Sequence, residues 1–163
     1  MIQPVRVKRL TAATLALSAV VFGVSVLVGN GQAQSASVRF VCSSADKQFL
    51  DTVRTNMTQL SYWSDALVTH DVAPGVVVKQ ARDESAQVAA TRPLDRTLHA
   101  TRDLLGSMFL EYSKAVAVTV RGHDPAHHMQ SAWRLAGSVH DLLAGVHDGL
   151  AAQGCDVTPL LSS

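Results

Sequence analysis

The sequence predicts an all-α protein: an up-down-up-down four-helix bundle with a short irregular second helix, closed by one disulfide and preceded by an N-terminal signal segment. Three observations lead there. Beyond position 42, apolar residues recur in steps of three and four, the period of a helix with one buried face, while alternating β-branched runs are confined to the brief stretch 76–78. Two cysteines, Cys42 and Cys155, stand near the two ends of that helical region. Ahead of them comes a basic, then an apolar, then a small-residue segment.

The leader has three parts. Arg6, Lys8 and Arg9 are followed by residues 11–28, almost wholly Ala, Leu, Val and Phe, and then by Gly29-Asn30-Gly31-Gln32-Ala33. Gly31 and Ala33 supply the small residues of a secretory cleavage site, so the cut is expected after Ala33. Retention as a membrane anchor is the competing reading, because the apolar run of about 18 residues exceeds the usual ~7–15 of a signal core and approaches a bilayer span. No cysteine follows the run directly, which disfavours a lipid anchor. The expected organisation is residues 1–33 as signal, 34–41 as linker, 42–158 as the bundle and 159–163 as a flexible tail.

About 130 residues remain after position 33, enough for one domain with a real core. Three of the 14 basic residues lie in the leader, so the remainder is slightly acidic against 13 Asp and Glu. Without a basic stripe such a domain is poorly suited to nucleic acid or to an anionic membrane surface, and membrane contact is expected only if the leader is retained. An even cysteine pair on an exported chain is read as a disulfide, and closing so long a loop contributes roughly 4–5 kcal/mol on the chain-entropy account. The Ala- and Val-rich, Arg-over-Lys composition suggests a GC-rich bacterial genome.

The first helix is the clearest. Ser43 and Ser44 offer caps, Asp46 lies in the first turn, and Phe49, Val53, Met57, Leu60, Trp63 and Leu67 form one stripe that stops at His70-Asp71 before Pro74-Gly75. Residues 76–90 make a shorter helix in which Val77, Ala81 and Val88 share a face that Arg82, Asp83 and Glu84 interrupt. A third helix is expected over 93–121, with Pro93 in its first turn, a stripe from Leu94 and Leu98 to Val116, and Gly122 beyond it. The fourth begins with Asp124 as cap and Pro125 as first residue, carries Ala132, Leu135, Val139, Leu142, Leu143, Val146 and Leu150, and closes at Gly154.

These lengths set the topology. Helices of about 28 residues are ~42 Å long. The tight turn at 122–125 makes the third and fourth antiparallel neighbours. Bonding Cys42 to Cys155 puts the start of the first helix and the end of the fourth at one pole. Residues 72–92 must then return the chain from top to bottom, and a ~15-residue helix with five extended residues spans close to the distance needed. A three-helix bundle would leave the cysteines at opposite ends.

The seven histidines are the unusual feature of the composition. His70, His123, His127 and His128, with Asp71 and Asp124, fall at the pole opposite the disulfide, where imidazoles and carboxylates could hold zinc or copper. His140 and His147, seven residues apart on one edge of the fourth helix near Met129 and Trp133, form a second candidate edge for a ligand. Plainer roles compete: Asp124 before Pro125 is a helix cap, and His140 and His147 each precede an aspartate in a polar border. The spacings H-E-x-x-H and C-x-x-C do not occur. Trp63 takes a core position and turns Tyr62 toward an edge. No cofactor is required by the sequence. The functional expectation is a secreted or cell-surface bundle of non-catalytic binding type, meeting an unknown protein or small ligand in the extracytoplasmic space. A metal- or ligand-binding bundle using the histidine pole comes second, and a small secreted enzyme, which would need charged residues facing the bundle axis, third.

Overall fold

The computed structural model describes residues 41–162. The leader, its expected cut after Ala33 and most of the linker lie outside the described residues.

Four long helices pack up and down: α1 (Ser44–Val68), α2 (Pro74–Ala90), α3 (Arg96–Val120) and α4 (Ala126–Ala144), followed by two short ones, α5 (His147–Ala152) and α6 (Thr158–Leu161). The principal interfaces are α2 with α3 and α3 with α4, with α1 laid mainly on α2. Cys42 and Cys155 are bonded, with Cα atoms 5.2 Å apart across a sequence separation of 113. That bond fits an oxidising compartment. Among the described residues no helix is long and apolar enough to cross a membrane.

The start of α1 is a capping box. Ser43 Oγ accepts from the Asp46 N–H at 3.0 Å, and the Asp46 carboxylate accepts from the Ser43 N–H at 3.1 Å. Its end is a Schellman turn: the Asp71 N–H donates to Ala66 O and the His70 N–H to Leu67 O, with His70 at φ 62 where glycine is usual. The same turn, now with glycine, ends α3 at Gly122 (φ 75) and α5 at Gly154 (φ 84). At Gly154 it brings Cys155 round to its partner, where the Cys42 N–H donates to Gln153 O at 2.8 Å.

Four expectations about element bounds are corrected. The second helix is regular and 17 residues long, and Pro74, taken as a breaker, is among its first residues, where a missing N–H costs nothing. The third helix starts at Arg96, not Pro93. Asp95 caps it by accepting from the Thr97 and Leu98 N–H groups at 2.7 and 3.0 Å. Leu94, placed on the core stripe from the sequence, is exposed because its N–H is held by Asp46.

The fourth helix is not continuous to Gly154. It stops at Ala144, and Val146 at φ −124 leaves the helical region before α5 begins. Its first residue is Ala126 and Pro125 takes the cap position; Asp124 stands one residue earlier and accepts from the Ala126 N–H at 2.8 Å. The residues assigned to a tail from 159 onward begin inside α6, and Leu160 and Leu161 pack against the core.

The core runs through all four long helices, with Phe49, Phe109, Leu98 and Leu143 its largest fully buried apolar side chains. α3 is the central element. It buries Leu98, Leu105, Met108, Phe109, Tyr112, Ala115 and Val116 between its neighbours.

Candidate functional site

The up-down order places His70, His123, His127 and His128 at the pole opposite the disulfide. There His70, Asp71, His123 and His127 are exposed. His70 serves the Schellman turn, Asp71 accepts from the Thr69 hydroxyl at 2.5 Å, and His123 follows Gly122 out of α3. Only His128 is drawn inward, where its Nδ1–H donates to Glu111 Oε2 at 2.7 Å, with the His127 ring 5.4 Å away edge-on. The bond from Lys114, then that from His128, holds the Glu111 carboxyl below its usual range. Among the described residues, one trio of potential metal ligands has its donor atoms within 4.8 Å of one another, Cys42, Asp46 and Cys155. Its two sulfurs are bonded to each other, so neither is a thiolate.

The other candidate edge is divided by the break after Ala144. His140 stays on α4, and Met129 is partly buried against the core. His147 begins α5, where its Nδ1 meets Asp148 at 3.0 Å and its Nε2 meets the Thr158 hydroxyl at 3.2 Å. His147 therefore ties α5 to α6 and does not continue the His140 edge. Tyr62 is exposed, as its position beside Trp63 implies, with the two rings edge-on at 5.1 Å.

His140 instead borders a cavity of about 90 Å³. Val53 and Met57 of α1, Leu105 and Met108 of α3, Ala136 and Val139 of α4 and Leu160 of α6 line the rest of it. α1 and α4 make little direct contact, while α6 packs on α4. The seam between the first and last long helices is thus closed by the end of the chain.

A further group lies inside the bundle. Glu84 is fully buried on α2 and in phase with Val77, Ala81 and Val88. Its Oε1 accepts one long bond from Gln80 Nε2 at 3.3 Å, while Gln80 Nε2 also reaches Gln59 Oε1 of α1 at 3.1 Å. Its backbone carbonyl accepts from Asn56 Nδ2 at 3.2 Å, and its Oε2 has no partner. Nearby, Ser64 Oγ and Tyr112 OH share a buried bond of 2.7 Å. Burial pushes the Glu84 carboxyl up to about 7; the Gln80 bond opposes this and the neighbouring Asp83 charge adds to it. Burial also raises the Tyr112 hydroxyl, against the Ser64 bond.

Glu84 was hidden by its neighbours in sequence. Arg82-Asp83-Glu84 reads as a polar interruption, yet 77, 81, 84 and 88 follow steps of four, three and four, so the period itself points Glu84 inward. Neither that cavity nor a second one between the start of α3 and α5 includes it in its lining.

The carboxyl gives folding a pH dependence of known sign. Its proton is held more tightly in the folded than the unfolded chain, so stability falls as pH rises from about 4.5 through about 7 and then levels off. The whole change amounts to roughly 3 kcal/mol. Glu84→Gln is expected to match the parent near pH 4 and to exceed it by about that amount above pH 8. Urea unfolding at the two pH values measures this, and equal differences at both would show that Glu84 ionises freely in the fold.

No protein-family model, curated protein or solved structure matches the chain.

Proposed function

We propose that the chain is an extracytoplasmic, non-catalytic binding protein whose contact surface is the seam between α1 and α4. The observation that carries this is the apolar cavity there, left where two long helices of a disulfide-closed scaffold are bridged by one turn of helix. Its walls are hydrocarbon and thioether apart from His140, so the occupant is a small apolar molecule, or the apolar end of a larger one, with any polar group directed to the imidazole. A volume of about 90 Å³ is smaller than the ~150 Å³ cavity that admits benzene. Met57 and Met108, unbranched and polarizable, are the side chains best able to repack around a guest.

The test is a titration of the full-length chain, with labelled methionine methyls, using xenon and 1-butanol as probes. Saturable shifts at the Met57 and Met108 methyls are expected. Shifts confined to Met129, which does not line the cavity, or none, would remove the seam as the contact surface.

A second reading, zinc or copper at the histidine pole, has one observation in its favour. A carboxylate on His128 Nδ1 selects the tautomer that presents Nε2 as a ligand, with His127 beside it. Zinc added at micromolar concentration must then shift the ring resonances of His127 and His128 together.

A further inference from the structure

We propose that α2 is a proton-gated arm of the bundle, docked against α1 and α3 while Glu84 carries its proton and opening locally when Glu84 ionises. This inference stands apart from the seam and does not rest on the binding reading.

The geometry around Glu84 suits the neutral acid and opposes the anion. From α1 the Asn56 amide is spent on the Glu84 backbone carbonyl and not on its carboxyl, and from α3 the Tyr112 hydroxyl, close enough to feel the Glu84 charge, is already engaged by Ser64. The charges that reach this layer are negative: Asp83 acts on Glu84, and Asp65 acts on Tyr112 together with Glu84 itself. Among the described residues no Lys or Arg forms an ion pair with Glu84. Lys79, five residues earlier on α2, is engaged by Asp83. An ionised Glu84 would therefore keep a bare Oε2 in the core with a single long hydrogen bond to Gln80. Burial accordingly raises its carboxyl to about 7, within the range a cell envelope experiences.

Relief by a local opening is favoured by how α2 is bounded. It is the shortest of the four long helices, and its N-terminus has no side-chain cap. On one side the chain is held by the Schellman turn at His70 and Asp71; on the other, Asp46 grips the Leu94 and Asp95 N–H groups. The stretch between these two anchors can part from α3, and α1, which rests mainly on α2, loosens with it, while α3, α4 and the disulfide stay in place.

Amide hydrogen exchange of the full-length chain between pH 5 and pH 8, corrected for intrinsic rates, tests the proposal. Peptides of α2 are expected to lose protection by about 50- to 100-fold across that range and, at pH 8, to exchange well ahead of α4. In Glu84→Gln the α2 peptides should keep the same protection at both ends of the range. If α2 protection is independent of pH, or α2 and α4 exchange together throughout, the gate does not exist. The contrast between α2 and α4 in the parent decides the matter even if Glu84→Gln fails to fold.

Discussion

Replacing both cysteines, as Cys42→Ser with Cys155→Ser, is expected to lower the unfolding free energy by about 4–5 kcal/mol. The bond joins residues 113 apart, so it removes most of the freedom of the unfolded chain between them. The folded side of the balance points the same way. Cys42 and Cys155 are buried, the Cys42 N–H donates to Gln153 O, and the Gly154 turn delivers Cys155 just before Val157, which is fully buried. α6 follows within a few residues, so the end of the chain that closes the seam hangs from this bond. Urea unfolding of the double variant, and of the parent under reductant, measures the effect. A loss below about 1 kcal/mol in both would mean that local packing, and not loop closure, holds the pole together.

Asp46→Ala is expected to cost about 4 kcal/mol at neutral pH, assembled from a lost cap and two lost charge-assisted bonds. One carboxylate serves both roles. Oδ2 accepts from Ser43 in the capping box of α1, and Oδ1 accepts from the Leu94 and Asp95 N–H groups at 2.7 and 3.0 Å, which fixes the entry into α3. Burial alone would raise its pKa, but the bonds from Ser43, Asp95 and Leu94 outweigh that and leave it lowered. A depressed carboxyl stabilises above its unfolded pKa and loses that contribution as pH falls through its folded value, so the gap between parent and variant should close on acidification. Asp46 and Glu84 thus bend the profile in opposite directions: Asp46 costs stability on acidification, and Glu84 costs it as pH rises from about 4.5 towards about 7. The Asp46 carboxylate also lies within 4.8 Å of both cysteine sulfurs, so its effect and that of the disulfide will not add. Thermal melts of Asp46→Ala at pH 7 and pH 3, in the parent and in the cysteine-free background, read out both statements. A gap that stays the same at both pH values would mean that the contribution is not that of the ionised carboxylate.

Much of the architecture was legible because it depends on near neighbours along the chain. The stripe from Phe49 to Leu67, the serine caps before it, and the glycines at 122 and 154 all act through residues within about one turn. The cysteines added one long-range fact, and with the helix lengths it was enough to set the up-down order. Helix ends were less secure. Pro74 and Pro93 are equally plausible helix starts in sequence; Pro74 starts one, while Pro93 sits in the extended entry that Asp46 holds.

Where distant segments had to meet, the sequence was silent. The apolar pattern of α4 runs on through Val146 and Leu150, and Gly145, at the C-cap of α4, is the local mark of the break that lets α5 turn back to Cys42. Grouping histidines by pole brought the right residues to the right end, but convergence within ångströms depends on side-chain direction, and of these only His128 is drawn into a partly buried pair, with Glu111. Asp46 was visible as a first-turn acid, and its grip on Leu94 and Asp95 was not. Glu84 had the period of a core residue and the chemistry of a surface one, and packing resolved the conflict in favour of the period.

By itself, then, the sequence determined the class, the four long helices in outline, the disulfide and the up-down order, since each follows from periodicity, capping or chain length. Tertiary structure decided which polar groups lie in the dry interior and which apolar residues close the seam. Both depend on what surrounds a side chain on every side, and those neighbours come from helices far apart in the chain.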